Sequence, residues 1–195
     1  YGNRAIYTYN VSTLTFKGNG SLTIDYQVVA SNQVYMHGIL MEGESSSKNN
    51  GNLTFDESCT VTVKVYGKVA EKDGSVDAIY MNTGNIGSGN VTVGENATLN
   101  IDLQCDTDYQ TYGIFAKGNV VLNGTVDIKM EYTGSGAANN TWKDVFTYAS
   151  YPDCSIGTNA KITSVCPGSN GSSLTAFPLV ANGGKNISSW TKVLT

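Results

Sequence analysis

Two fourteen-residue stretches, "NLTFDESCTVTVKV" from Asn52 and "NVTVGENATLNIDL" from Asn90, place an apolar residue at every matching position and vary between. Three further copies follow the same pattern: "TLTFKGNGSLTIDY" from Thr13, a shorter "NVVLNGTVDIKM" from Asn119 and a degenerate "DCSIGTNAKITSVC" from Asp153. A second signature precedes each copy: "AIYTY" at Ala5, "GILME" at Gly38, "AIYMN" at Ala78, "GIFAK" at Gly113 and "DVFTY" at Asp144. Its Ile or Val recurs at 6, 39, 79, 114 and 145, in steps of 33, 40, 35 and 31 residues. Periods of this size imply a stacked array.

Within each unit apolar and polar residues alternate over short runs bounded by Gly, Asn or Asp, which is the signature of half-buried strands. Three runs per unit result, in the third unit roughly 78–81, 90–93 and 98–103. Helical spacing is absent, which excludes a helical solenoid. A three-stranded unit cannot bury its own inner face, so it stacks on its neighbours at a rung spacing of ~4.8 Å. The reading is an all-β parallel β-helix with three strands per rung, about five rungs and a partial C-terminal capping rung near Phe177.

The inward columns follow from the alignment of copies. Leu14, Leu53, Val91, Val120 and Cys154 stack on the second strand, and Leu22, Val61, Leu99, Val126 and Ile162 on the third. Ile24, Val63, Ile101 and Ile128 form a parallel column, and Cys166 falls in the column of Tyr26, Val65, Leu103 and Met130. Asp25, Lys64, Asp102 and Lys129 occupy one outward place, where opposite charges alternate and a slip by one residue would bury all four.

Residues 1–166 are assigned to the rungs and 167–195 to an irregular cap or linker, within a single domain of 195 residues. Only 14% of residues are charged, against roughly 25% in an average soluble domain. A net charge of -4 with no basic cluster leaves nothing to neutralise phosphates, so nucleic acid is excluded as a partner. No apolar run approaches the ~18 residues of a membrane helix, so direct membrane insertion is excluded too. The four cysteines lack CxxC spacing for zinc; Cys154 and Cys166 share a rung, which leaves a bridge between them open. No metal site and no cofactor is expected.

The strand openings "GNLTF", "GNVTV" and "GNVVL" bring Asn52, Asn90 and Asn119 into register. In these features the chain resembles the right-handed parallel β-helix proteins of the pectate-lyase-like superfamily, and more closely the Asn/Thr/Gly-rich repeats of bacterial cell-surface proteins. The resemblance implies a hydrogen-bonded asparagine ladder at a rung corner. Polysaccharide lyases and hydrolases of this fold use a base beside calcium-binding carboxylates, or clustered Asp residues with His and an Arg-Lys pair. Here the only arginine is Arg4, read as an edge residue of rung one, and the only histidine is His37, read as a corner residue.

The expected function is therefore a noncatalytic, secreted or cell-surface module of a bacterial protein, acting in adhesion or glycan binding, with a glycan or host surface protein as partner. The alternatives are a structural stalk of a larger surface protein and, behind it, a polysaccharide lyase or hydrolase. The candidate site comes from spacing. The first-strand Ile or Val precedes the second-strand anchor by 8, 14, 12, 6 and 9 residues in successive rungs, so rungs two and three carry long loops at one corner. Solenoid insertions map to one face, often the binding face. These loops contribute Glu42, Glu44, Asn49, Asn50, Asn82 and Asn85, beside the aromatic-rich column of Tyr7, Leu40, Tyr80, Phe115 and Phe146, from which Tyr80 is the candidate stacking residue.

Overall fold

The structure, a computed structural model, describes residues 3–30, 35–43, 51–69, 74–82, 89–107, 111–134, 142–147, 155–157, 159–165 and 180–181. Rung one consists of β1 (Asn3–Tyr9), β2 (Thr13–Phe16) and β3 (Ser21–Ala30), and rung two of β4 (Met36–Glu42), β5 (Asn52–Phe55) and β6 (Thr60–Val69). Rung three holds β7 (Val76–Asn82), β8 (Asn90–Val93) and β9 (Thr98–Cys105), and rung four β10 (Thr111–Ala116), β11 (Val120–Leu122) and β12 (Thr125–Tyr132). Rung five is β13 (Trp142–Thr147), β14 (Ser155–Ile156) and β15 (Ala160–Val165), and β16 (Val180–Ala181) begins a sixth. Every strand pairs in parallel with its equivalent one rung away. Three sheets result: A with order β1-β4-β7-β10-β13-β16, B with β14-β11-β8-β5-β2 and C with β15-β12-β9-β6-β3. The described residues form a parallel β-helix of five rungs and part of a sixth.

The columns explain why. Leu14, Leu53, Val91 and Val120 pair in sequence on sheet B, as do Leu22, Val61, Leu99 and Val126 on sheet C. Apart from Leu22, which is exposed in rung one, their side chains pack in one continuous core. The rings of Phe16 and Phe55 stack at 5.4 Å with 12° between planes, like upon like. The outward column Asp25, Lys64, Asp102 and Lys129 is in register as well. At the corner between sheets B and C, Gly18 (φ 99°) and Glu57 (φ 56°) occupy equivalent left-handed places in rungs one and two.

Rung five departs from the sequence alignment by two residues. Ala160 pairs with Val126, Ile162 with Ile128 and Ser164 with Met130, so Ile162 extends the Ile24 column and Ser164, not Cys166, stands beside Met130. A two-residue shift preserves which face every side chain takes, so alternation alone does not distinguish the two registers. Cys154 and Cys166, and the bridge left open between them, lie outside the described residues.

Sheet A breaks the alternation of its neighbours. The pairing runs through Asp77 and Ile79 but passes over Ala78, and in the adjoining rungs it likewise passes over Ala5, Gly38 and Gly113. Ala78 and Ile79, consecutive in the chain, both belong to the main core. A Cβ placed on Gly38 would meet Val63 Cγ1 at 2.6 Å and Val65 Cγ2 at 3.1 Å, so this position faces inward. A bulge common to the four strands is thus stacked at one place in successive rungs, with no strand gaining a residue over its partner. It turns one more place outward than strict alternation would: Arg4, His37, Asp77 and Tyr112 before the bulge share the outer face with Tyr7, Leu40, Tyr80 and Phe115 after it.

Candidate functional site on the outer face of sheet A

The bulge is what assembles this site. Small buried residues at Gly38, Ala78 and Gly113 let two consecutive positions fit inside the solenoid, and the outer face receives charged and aromatic side chains from both flanks. His37, read from sequence as a corner residue, is instead buried inside β4. Its Nδ1 lies 3.1 Å from Asp77 Oδ2, within ion-pair distance but off the line of a well-formed hydrogen bond. Asp77, fully buried, accepts a hydrogen bond from the Tyr112 backbone N–H at Oδ1 (2.9 Å) and from the Ser75 hydroxyl at Oδ2 (3.2 Å). The aromatic rings close around this knot. His37 and Tyr80 are 5.0 Å apart, Tyr80 stacks on Phe115 at 4.3 Å with 11° between planes, and Tyr112 tilts against Phe115 at 5.2 Å.

Burial raises the Asp77 carboxyl above its ordinary value, opposed by His37, the Tyr112 amide and Ser75. Burial pushes the Tyr80 phenol up to about 12, with the charges of Asp77 and Glu42 adding to it. The Asp77 shift has a consequence for stability. A carboxyl whose folded pKa exceeds its unfolded one contributes stability fully below the unfolded value, and loses it as pH rises through the folded value. Asp77→Asn keeps the acceptor for Tyr112 and cannot ionise. Melting temperatures of the two proteins, followed from the ordinary carboxylate range upward, should therefore diverge, with the wild type falling relative to the variant; parallel curves would show that Asp77 ionises as easily folded as unfolded.

Toward rung one the same face opens to solvent. Tyr7 and Tyr9 are 44% and 50% exposed. The Arg4 guanidinium sits 4.2 Å above the Tyr7 ring, and its Nη2 approaches Glu42 Oε2 at 3.9 Å. Glu42 also accepts the Tyr7 phenol, which together with some burial raises that phenol's pKa. Glu42 pairs in register with Tyr9 on one side and Asn82 on the other.

Of the expected site residues, Glu42 and Asn82 are neighbours at the ends of β4 and β7, and Tyr80 shares their face two residues earlier. Glu44, Asn49, Asn50 and Asn85 lie outside the described residues. Tyr7, Leu40, Tyr80 and Phe115 of the aromatic column face outward, but Leu40 and Phe115 are buried and Tyr80 is packed between His37 and Phe115. On β1 the rings of Tyr7 and Tyr9 are exposed. Sequence reasoning missed the His37–Asp77 couple; the signal available for it was the repeated Ala or Gly at the head of each first-strand signature.

The asparagine ladder is present. Asn90 Nδ2 donates to Asn52 Oδ1 at 2.8 Å, and the Asn119 backbone N–H donates to Asn90 Oδ1 at 2.8 Å. Cys59 and Cys105 are buried free thiols, and burial pushes the Cys105 thiol far up, which suppresses the thiolate needed for reactivity. Among the described residues no three of His, Cys, Asp and Glu converge to hold a metal ion. No family model matches the chain, and no curated protein or solved structure matches it.

Proposed function

We propose that the chain is a noncatalytic module of a secreted or bacterial cell-surface protein, binding glycan through the rung-one end of the outer face of sheet A. The observation that supports this reading is the paired exposure of Tyr7 and Tyr9, where the positions equivalent to Tyr7 in rungs two and four, Leu40 and Phe115, are buried. Aromatic rings present an apolar face to the C–H face of a sugar, while a carboxylate and an amide bond its hydroxyls. Arg4, Glu42 and Asn82 surround the rings with such groups, and Arg4 and Glu42 hold Tyr7 in place. The long loops of rungs two and three begin beside Glu42 and Asn82.

A glycan microarray on the full chain tests the reading. Replacing Tyr7 and Tyr9 by Ala, Glu42 by Gln and Asn82 by Ala together should weaken binding at least tenfold, since stacking and hydrogen bonding each contribute on the order of 1 kcal/mol. All four side chains are at the surface or its rim, so the melting temperature should hold. Unchanged binding would place the contact elsewhere. A wild-type protein that binds no glycan and no host surface would be a structural spacer instead, and turnover of a uronate polymer with calcium would make it a lyase.

A further inference from the structure

An open cavity of about 260 Å³ lies on the outer face of sheet C, near the C-terminal ends of its strands, with Gln27, Tyr66 and Gln104 in its wall and Val29, Lys68 and Thr133 around them. Gln27, Tyr66 and Gln104 form one column across rungs one, two and three. Each is held in place. Gln27 Nε2 donates to Asp25 Oδ1 at 3.1 Å, Gln104 Nε2 to Asp102 Oδ1 at 3.3 Å, and the Tyr66 hydroxyl to Asp102 Oδ2 at 3.0 Å. One carboxylate thus fixes two of the three. Side chains already ordered lose little entropy on binding a ligand. Each amide retains its carbonyl oxygen and a second N–H, on either side of an aromatic ring.

Carboxylates outnumber cations around the column: Asp25, Asp102, Asp106 and Glu131 stand with Lys64, Lys68 and Lys129 on the outer face of neighbouring strands. A phosphate or sulfate would find no excess of cations. A wholly apolar ligand would strand the two amides without partners. The cavity is also smaller than the roughly 300–1,000 Å³ that encloses a drug-sized ligand. A ring with a C–H face and several hydroxyls, uncharged and about one sugar unit in size, matches what remains.

We infer that this cavity is a second sugar subsite, taking a single neutral pyranose unit between the Gln27 and Gln104 amides and against Tyr66. The inference rests on the glycan-binding reading and adds a site on a different sheet. Isotope-labelled protein titrated with the methyl glycosides of glucose, galactose, mannose and N-acetylglucosamine, and separately with glucuronate, tests it through the side-chain amide resonances. At least one neutral glycoside should shift the Gln27 and Gln104 amides. Tyr66→Ala should then weaken the apparent affinity about tenfold, and the surface variant Gln27→Leu/Gln104→Leu should do the same with the fold undisturbed. Silence of both amides, a preference for glucuronate, or wild-type affinity in either variant would overturn the subsite. The Asn82 amide reports separately on sheet A: shifts there without shifts at Gln27 and Gln104 would sink this subsite alone, and silence at all three would sink both.

Discussion

Phe55→Ala should lower the free energy of unfolding by about 3–5 kcal/mol, the range for emptying a fully buried aromatic position. Phe55 is fully buried at the end of β5, stacked on Phe16 from rung one and paired with Val93 of rung three. A void there lies between the Phe16 ring and the Val93 side chain, whose separation is set by the hydrogen bonds that fix adjacent rungs. Neighbours in a helix bundle can slide together; rungs cannot. In a chain of this size the change corresponds to a fall of roughly 10 °C in melting temperature, which thermal unfolding followed by circular dichroism would read. A loss under about 1 kcal/mol would show that rungs one and three collapse into the gap, contrary to the rigidity argued here.

The second large effect is expected at Gly124. The corner between sheets B and C takes four residues in rungs one to three (17–20, 56–59 and 94–97) but only two in rung four, Asn123 and Gly124. The shortened corner presses onto the rung below. Gly124 N–H donates to Val93 O at 3.2 Å, and a Cβ at Gly124 would overlap the carbonyl oxygens of Gly94 and Ala97. Neither oxygen is free to retreat: Gly94 O accepts from Ala97 N–H and Ala97 O from Thr125 N–H, both at 3.0 Å. Gly124→Ala should therefore cost about 1–3 kcal/mol or more through forced backbone displacement. Gly20→Ala is the control, because nothing lies within 4 Å of a Cβ there. It should be neutral or stabilise by about 0.4–1 kcal/mol through the unfolded chain. Equal effects at the two glycines would refute the steric account.

Sheets B and C are legible in the sequence because their strands alternate strictly, and alternation states which residues face inward. It does not state which rung-equivalent residue is opposite which. Ile162 illustrates this: it pairs with Ile128 rather than Val126, a shift of two residues that alternation does not register. Sheet A is legible only as a recurring signature. Its Ala or Gly at 5, 38, 78 and 113 marks the bulge, yet a small residue in a strand has several meanings, and only the pairing shows that this one places two consecutive residues inside. That ambiguity hid His37 and Asp77. That Glu42 and Asn82 are neighbours was legible because loop length and strand register are both written along the chain, whereas the burial of Phe115 and the exposure of Tyr7 depend on what covers the sheet, which no periodicity encodes.

The asparagine ladder gives the stack a direction. The Asn119 main-chain N–H donates to the Asn90 side chain, and the Asn90 amide in turn donates to Asn52, so both donors serving the asparagine side chains aim toward rung two and both accepting side-chain oxygens toward rung four. In rung one the ladder meets Thr13, whose position is in register with Asn52 but carries no amide. A rung arriving upside down would bring donor against donor at this corner, with both groups half-buried and poorly able to turn to water. The column therefore acts as a one-way thread: it accepts the next turn of chain in the orientation of the last and rejects the reverse, which protects a repetitive sequence from winding back on itself.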